Sequence, residues 1–172
     1  MAVDEKYMTV IGHLEELRRV LLVSLIALLP ASIGGWLLKD LALELLLNPL
    51  REINPGFKLI VLGPADKIVV DIKVALVIGG VLAMPVIIWQ LWSFVKPALR
   101  KQEHNVAVLL VPATIILFLA GVAFSYFTVF KMAVQFFYGY VDQTTSSVVA
   151  AYALKEYIGF AVSFLLPFGV VF

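Results

Sequence analysis

The stretch VALVIGGVLAMPVIIWQLWSFV, Val74–Val95, decides the fold of this chain. As an α-helix it rises about 33 Å, which matches the thickness of the hydrocarbon core of a bilayer. Gln90 is its one strongly polar residue, so almost every side chain of the stretch is suited to a lipid environment. The stretch therefore predicts a transmembrane helix.

The rest of the sequence repeats this pattern. The chain has 172 residues, of which 62% are hydrophobic and 15% charged, and its mean hydropathy is +1.02. A soluble domain is about half apolar and a quarter charged. We therefore expect an all-α, polytopic transmembrane helical bundle that forms a single membrane domain over residues 1–172. The predicted elements are an amphipathic helix at 8–19 and spans at about 20–38, 69–95, 106–130 and 157–172.

Each apolar run contains a proline: Pro30, Pro85, Pro112 and Pro167. An interior proline removes one helical hydrogen bond and bends the helix, so we expect a proline-kinked bundle. The glycine pairs Gly34–Gly35 and Gly79–Gly80 predict close packing between helices. The last run is still apolar where the sequence stops at Phe172, which indicates a truncated polypeptide.

Composition also excludes several classes of function. The sequence has no cysteine and a net charge of +1, so we expect neither thiolate metal sites nor a nucleic-acid partner. It contains no phosphate-binding glycine loop, metal-ligand cluster or nucleophile triad. We therefore expect no cofactor and no metal.

Basic residues predict the orientation. They divide equally between the two sides, but those of the tail and of the 96–105 loop are denser and closer to helix ends. The positive-inside rule then places the N-terminus in the cytoplasm. On the opposite side, the apolar segment Leu41–Leu47 and the aromatic cluster Phe136–Tyr140 predict a lid of short interfacial helices.

Two carboxylates on the predicted cytoplasmic face are candidate ligands for a cation. In the tail, Glu15 can pair with Arg19 at i,i+4, which leaves Glu16 without a basic residue at that spacing. Glu103 lies in the 96–105 loop, where local pairing with Arg100 is the competing explanation. Two such carboxylates suit a ligand with adjacent guanidinium groups, each of which offers a planar, bidentate fork.

Other polar residues have simpler interpretations. Gln90 lies about 9 Å inside the cytoplasmic end of its helix, where a polar side chain faces the bundle or a wet cavity. His13 and His104 are interpreted as surface histidines. Asp71 and Lys73 are expected to pair or to extend toward the interface and not to form an ion path.

Three motifs resemble those of the TatC family, the multispanning subunit of the twin-arginine protein translocase. HLEELRR at His13–Arg19 resembles its N-terminal motif, and PVIIWQLWSFVKPAL at Pro85–Leu99 resembles its specific second block. GVAFSYF at Gly121–Phe127 is similar to a stretch of its third helix, and Glu103 falls on its loop glutamate. Lys131, where the family usually has proline, and His104–Asn105, in place of a more basic pair, depart from the pattern.

The resemblance implies a cupped fold of six helices, of which this chain holds the first four. It implies a receptor and not an enzyme. This core receptor of the translocase would bind twin-arginine signal peptides of folded cargo at the cytoplasmic side of the prokaryotic inner membrane. Single-span TatA-like and TatB-like subunits would be its partners in an oligomeric complex driven by the proton-motive force. Glu16 and Glu103 would bind the arginines, Arg18 would support the tail, Phe94 would form part of the surface, and Gln90 would contribute a polar contact.

Two other functions remain open from the sequence. A fragment of a secondary transporter or channel would carry ionisable residues near the middle of the bilayer, and these spans carry none there. A membrane scaffold without a ligand site would leave Glu16 and Glu103 dispensable.

Overall fold

The structure is a computed structural model that describes residues 10–95, 104–144 and 152–171. Over these residues it is a helical bundle with an isolated parallel bridge between Ile60 and Ala153 and no longer strand. The prediction of an all-α membrane bundle is confirmed. The elements are α1 (Val10–Ile53), α2 (Asp66–Val95), α3 (His104–Phe124), a π-helical segment (Ser125–Phe130), α4 (Lys131–Thr144) and α5 (Leu154–Val171).

Helix α1 joins segments that the sequence analysis had separated. We predicted a tail helix, a span and an interfacial helix at Leu41–Leu47, whereas the structure has one helix of 44 residues. The prediction of a separate interfacial helix is therefore wrong. Lys39 and Asp40 supply charge at the boundary but no helix-breaking residue, and the leucines that follow are strong helix formers. At about 66 Å, α1 is longer than the hydrocarbon core is thick.

Helix α2 begins at Asp66, before the predicted start of the span. The backbone N–H of Gly63 donates to Oδ2 of Asp66 at 2.8 Å, and the N–H of Asp66 donates to the Gly63 carbonyl at 3.1 Å. The carboxylate also lies in the first helical turn, where negative charge is favourable. These two hydrogen bonds set the start of the helix.

The third span continues past its predicted end at residue 130. The π-helical segment follows α3 directly, and α4 follows it without a break, so the aromatic cluster Phe136–Tyr140 is helical. Lys131 keeps the backbone N–H that a proline would lack, which allows the helix to continue. Its Nζ also pairs with Glu52 of α1 at 2.5 Å.

Three stretches of the described chain are long and apolar enough to cross a membrane by length and composition: Gly12–Ile53, Asp66–Val95 and Leu110–Tyr140. The fourth predicted span corresponds to α5, which has 18 residues. The protein is a multi-pass membrane protein.

Helices α1 and α2 run antiparallel and approach most closely at two glycines. A Cβ atom on Gly79 would lie 2.6 Å from the Cα of Ser32, and one on Gly35 would lie 2.9 Å from the backbone nitrogen of Gly79. Their neighbours Gly34 and Gly80 have room for a side chain. One glycine of each predicted pair therefore makes the close packing.

The buried core lies at one end of the bundle, which we call the core end (residues 39–74, 125–138 and 152–161). Val70, Phe130, Ile158 and Ala161 are almost completely buried there. The opposite end, called the motif end, consists of residues 12–20 of α1 and 88–95 of α2. Among its described residues only Val20 and Ile88 are buried.

Candidate functional site

The motif end joins the first turns of α1 to the last turn of α2 through an aromatic stack. The imidazole of His13 lies on the ring of Phe94, with centroids 4.2 Å apart and planes inclined by 18°. Because α1 and α2 are antiparallel, the beginning of one helix meets the end of the other. This contact brings Phe94, a predicted site residue, to the motif that contains Glu16.

Glu16 lies one turn along α1 from His13. Its Oε2 is 3.8 Å from Nδ1 of His13, and its side chain is 35% exposed. Oε2 itself is buried, yet no described residue donates a hydrogen bond to it. A shielded carboxylate oxygen usually has a donor, so this oxygen is suited to accept one from a ligand.

The local ion pair predicted between Glu15 and Arg19 is absent from the described part of the chain. Both side chains are exposed, and so is Arg18. Arg18 is two residues from Glu16, a spacing that places the two side chains on different faces of a helix. The structure therefore does not bring Arg18 to Glu16.

Gln90 lies one turn before Phe94 on the same face of α2. It is half-buried, about 6 Å deeper in the bundle than Phe94. Glu103 and its local partner Arg100 lie outside the described residues.

His13 is the site residue that our sequence analysis missed. It was interpreted as an ordinary surface histidine, but it contacts both Glu16 and Phe94. Its i,i+3 spacing from Glu16 was visible in the sequence, whereas its stack on Phe94 depends on how α1 and α2 pack.

At the core end, by contrast, side chains of other helices donate hydrogen bonds to backbone carbonyls of α1. Pro49 has no N–H, so the Leu45 carbonyl lacks its helical donor. The hydroxyl of Tyr126 donates to this carbonyl at 2.7 Å, and the hydroxyl of Tyr157 donates to the Leu46 carbonyl at 2.7 Å. α1 remains helical at Pro49 because tyrosine hydroxyls of other helices donate hydrogen bonds to the carbonyls beside the proline.

Asp71 and Asp66 at the core end are also paired with lysines. Asp71 pairs with Lys67 one turn away and with Lys39 of α1 at 3.6 Å. Asp66 pairs with Lys155 of α5 at 3.5 Å. Asp71 thus pairs as predicted, between two lysines.

A cavity of about 310 Å³ lies at the core end, away from the Glu16 carboxylate. Its wall is largely aromatic and includes Tyr138, Tyr152 and Phe160, with Glu156 as its acidic lining residue. Burial raises the pKa of the Tyr152 phenol, whose hydroxyl has no hydrogen-bond partner among the described residues.

Comparison with known proteins identifies the family. The model of the family described as "Sec-independent protein translocase protein (TatC)" matches residues 12–172. A TatC protein of Carboxydothermus hydrogenoformans is 37% identical over 98% of this chain and 68% of its own length. TatCd of Bacillus subtilis is 34% identical over 98% of this chain and 66% of its own length.

A solved structure has the same fold. The crystal structure of a twin arginine translocase receptor, TatC, superposes with a TM-score of 0.83 at 33% sequence identity, over 92% of this chain and 69% of that one. The chain spans about two thirds of the length of the relatives it matches. With a family match over most of its length and a shared fold, the chain belongs to the TatC family of Sec-independent protein translocase proteins.

Proposed function

We propose that this chain forms the signal-peptide receptor of the twin-arginine translocase, with the motif end as its binding surface. The observation that carries the proposal is the Glu16 carboxylate, whose shielded Oε2 has no hydrogen-bond donor among the described residues. The similarity to a solved twin arginine translocase receptor supports the same role.

In this proposal Glu16 accepts hydrogen bonds from one guanidinium group of the signal peptide. The adjoining ring of Phe94 offers an aromatic face, on which a guanidinium group packs well. Glu103 binds the second arginine, Gln90 adds a polar contact deeper in the bundle, and Arg18 supports the tail without touching the ligand. A lysine pair binds more weakly because an ammonium group cannot form the bidentate contact.

The motif end faces the cytoplasm in this proposal, in the inner membrane of a prokaryote. Folded cargo arrives there, and single-span TatA-like and TatB-like subunits join the receptor in an oligomeric complex. The proton-motive force drives transport by this complex. Lys101→Cys and Gln143→Cys, made singly, should then label from opposite sides of sealed vesicles. Labelling from the same side would contradict this topology.

Peptide binding tests the site directly. Glu16→Gln should weaken binding of a twin-arginine signal peptide by roughly tenfold to a hundredfold, the effect of losing a charge-assisted hydrogen bond. Glu15→Gln is the matched control, since it removes the same charge from an exposed neighbour and should change binding little. Glu103→Gln should behave like Glu16→Gln.

Two further measurements separate recognition from folding. Membrane insertion and protease resistance of Glu16→Gln should equal those of the wild type. A peptide with Lys-Lys in place of Arg-Arg should bind weakly to the wild type and respond little to the substitution. Normal insertion with undiminished binding of the twin-arginine peptide would leave Glu16 an ordinary surface residue and favour a scaffold role.

A further inference from the structure

The core end carries a second cavity, of about 410 Å³, whose lining combines cations with an apolar floor. Its charged lining residues are Arg51, Lys58 and Lys67, and no carboxylate is among the described residues that line it. The floor is formed mainly by leucines, contributed by α1, the 54–65 loop and the start of α5: Leu43, Leu47, Leu50, Leu59 and Leu154.

The cations of this cavity are only partly neutralised by the protein. Lys67 is paired with Asp71. The nearby carboxylates Glu52 and Asp66 are already occupied, by Lys131 and Lys155 respectively. Within the described part of the chain no ion pair joins Arg51 or Lys58 to an acidic residue. Two exposed cations therefore remain available to an anion.

The apolar floor continues into an exposed apolar run. Leu59 is followed by Ile60, Val61 and Leu62, which are 45%, 49% and 75% exposed. In a membrane protein, an exposed apolar run of this kind is stable against acyl chains and unfavourable in water. The cavity thus combines cations with an adjoining exposed apolar surface, an arrangement that suits the headgroup level of a bilayer.

We propose that this cavity binds an anionic phospholipid. Arg51 and Lys58 hold the phosphate, and the leucine floor holds the first part of an acyl chain. Charge complementarity selects an anion, and the apolar floor selects a lipid over a free phosphate. The proposal concerns the end of the bundle opposite the Glu16 carboxylate and is independent of the receptor function.

Native mass spectrometry of the purified chain tests this site, with dioleoyl phosphatidylglycerol as the probe and dioleoyl phosphatidylcholine as the neutral comparison. Arg51→Gln and Lys58→Gln should each weaken phosphatidylglycerol binding about fivefold, the contribution of one cation near an anionic membrane surface. Lys73→Gln is the matched control, because it removes an exposed lysine of α2 that does not line the cavity. It should leave binding unchanged.

Competition with glycerol 3-phosphate distinguishes lipid from free phosphate. The proposal expects glycerol 3-phosphate not to displace the lipid, since it lacks acyl chains. Displacement at equal concentration would overturn the lipid assignment in favour of a phosphate site. Equal binding of phosphatidylcholine, or an equal loss in Lys73→Gln, would overturn the proposal as well. Thermal unfolding of each variant confirms that it is folded, which is expected because the substituted side chains are exposed.

Discussion

The two ends of the bundle are built differently, although α1 and α2 run through both. At the core end, Phe130 and Ile158 are fully buried, and side chains from distant helices satisfy the backbone beside Pro49. At the motif end, α1 and α2 are joined by the stack of His13 on Phe94, and the candidate site residues that the structure describes are half-buried or exposed.

Two carboxylates show what this difference means. Asp71 at the core end lies between two lysines, whereas Glu16 at the motif end has His13 at 3.8 Å and no hydrogen-bond donor among the described residues. A carboxylate between two lysines holds helices together, and one without a hydrogen-bond donor remains available to a ligand. Binding surfaces are commonly drawn from the less tightly packed part of a fold. The stabilising core and the proposed binding surface therefore lie at opposite ends.

The largest expected effect separates the two ends by their packing. Phe130→Ala should lower the free energy of unfolding by about 3–5 kcal/mol, because it leaves a cavity in the core. Phe94→Ala, at the motif end, should cost only about 1 kcal/mol, the contribution of an aromatic stack. Unfolding in lipid nanodiscs, followed by circular dichroism, measures both. Equal costs would mean that the motif end is as tightly packed as the core end.

The close approach of α1 and α2 at their glycines lies between the two ends. Substitutions at these glycines test how tightly the two helices pack there. Gly79→Ala should destabilise the fold by about 1–3 kcal/mol, because the added Cβ meets the backbone of Ser32. Gly80→Ala is the matched control, with nothing within 4 Å of its added Cβ. Its expected effect is neutral or slightly stabilising, since alanine is the better helix former. A cost for Gly80→Ala equal to that for Gly79→Ala would contradict the observed crossing.

The hydrogen bond beside Pro49 gives a smaller effect with a specific signature. Tyr126→Phe removes the donor to the Leu45 carbonyl and should cost about 1 kcal/mol. In a Pro49→Ala background the backbone regains its own N–H donor, so the same substitution should cost less. A double-mutant cycle measures this coupling. Additive costs would show that Tyr126 does not replace the missing helical hydrogen bond.

The smallest expected effect on stability is at the proposed ligand site. Glu16→Gln should change the free energy of unfolding by no more than about 0.5 kcal/mol, as is usual for a side chain without a strong partner. The same variant should lose binding of the twin-arginine peptide. A large loss of stability would instead mean that Glu16 supports the fold, and the contrast between the two ends would fail.

The sequence predicted the membrane bundle well because hydrophobicity along a segment depends on local composition. It also identified Glu16, Phe94 and Gln90 as residues of one end, through motifs and through the topology that alternating spans impose. The errors of the prediction from sequence concerned where helices begin and end. Leu41–Leu47 and Phe136–Tyr140 were assigned to short interfacial helices, but each belongs to a longer helical stretch.

By itself the sequence determined that this chain crosses a membrane as helices, since long apolar runs must satisfy their backbone groups internally in lipid. Only the tertiary structure decided which polar groups find partners. The stack of His13 on Phe94, the choice of Gly35 and Gly79 for the crossing, and the donation from Tyr126 beside Pro49 all depend on neighbours brought together by packing. Spacing along one helix carries no information about those neighbours.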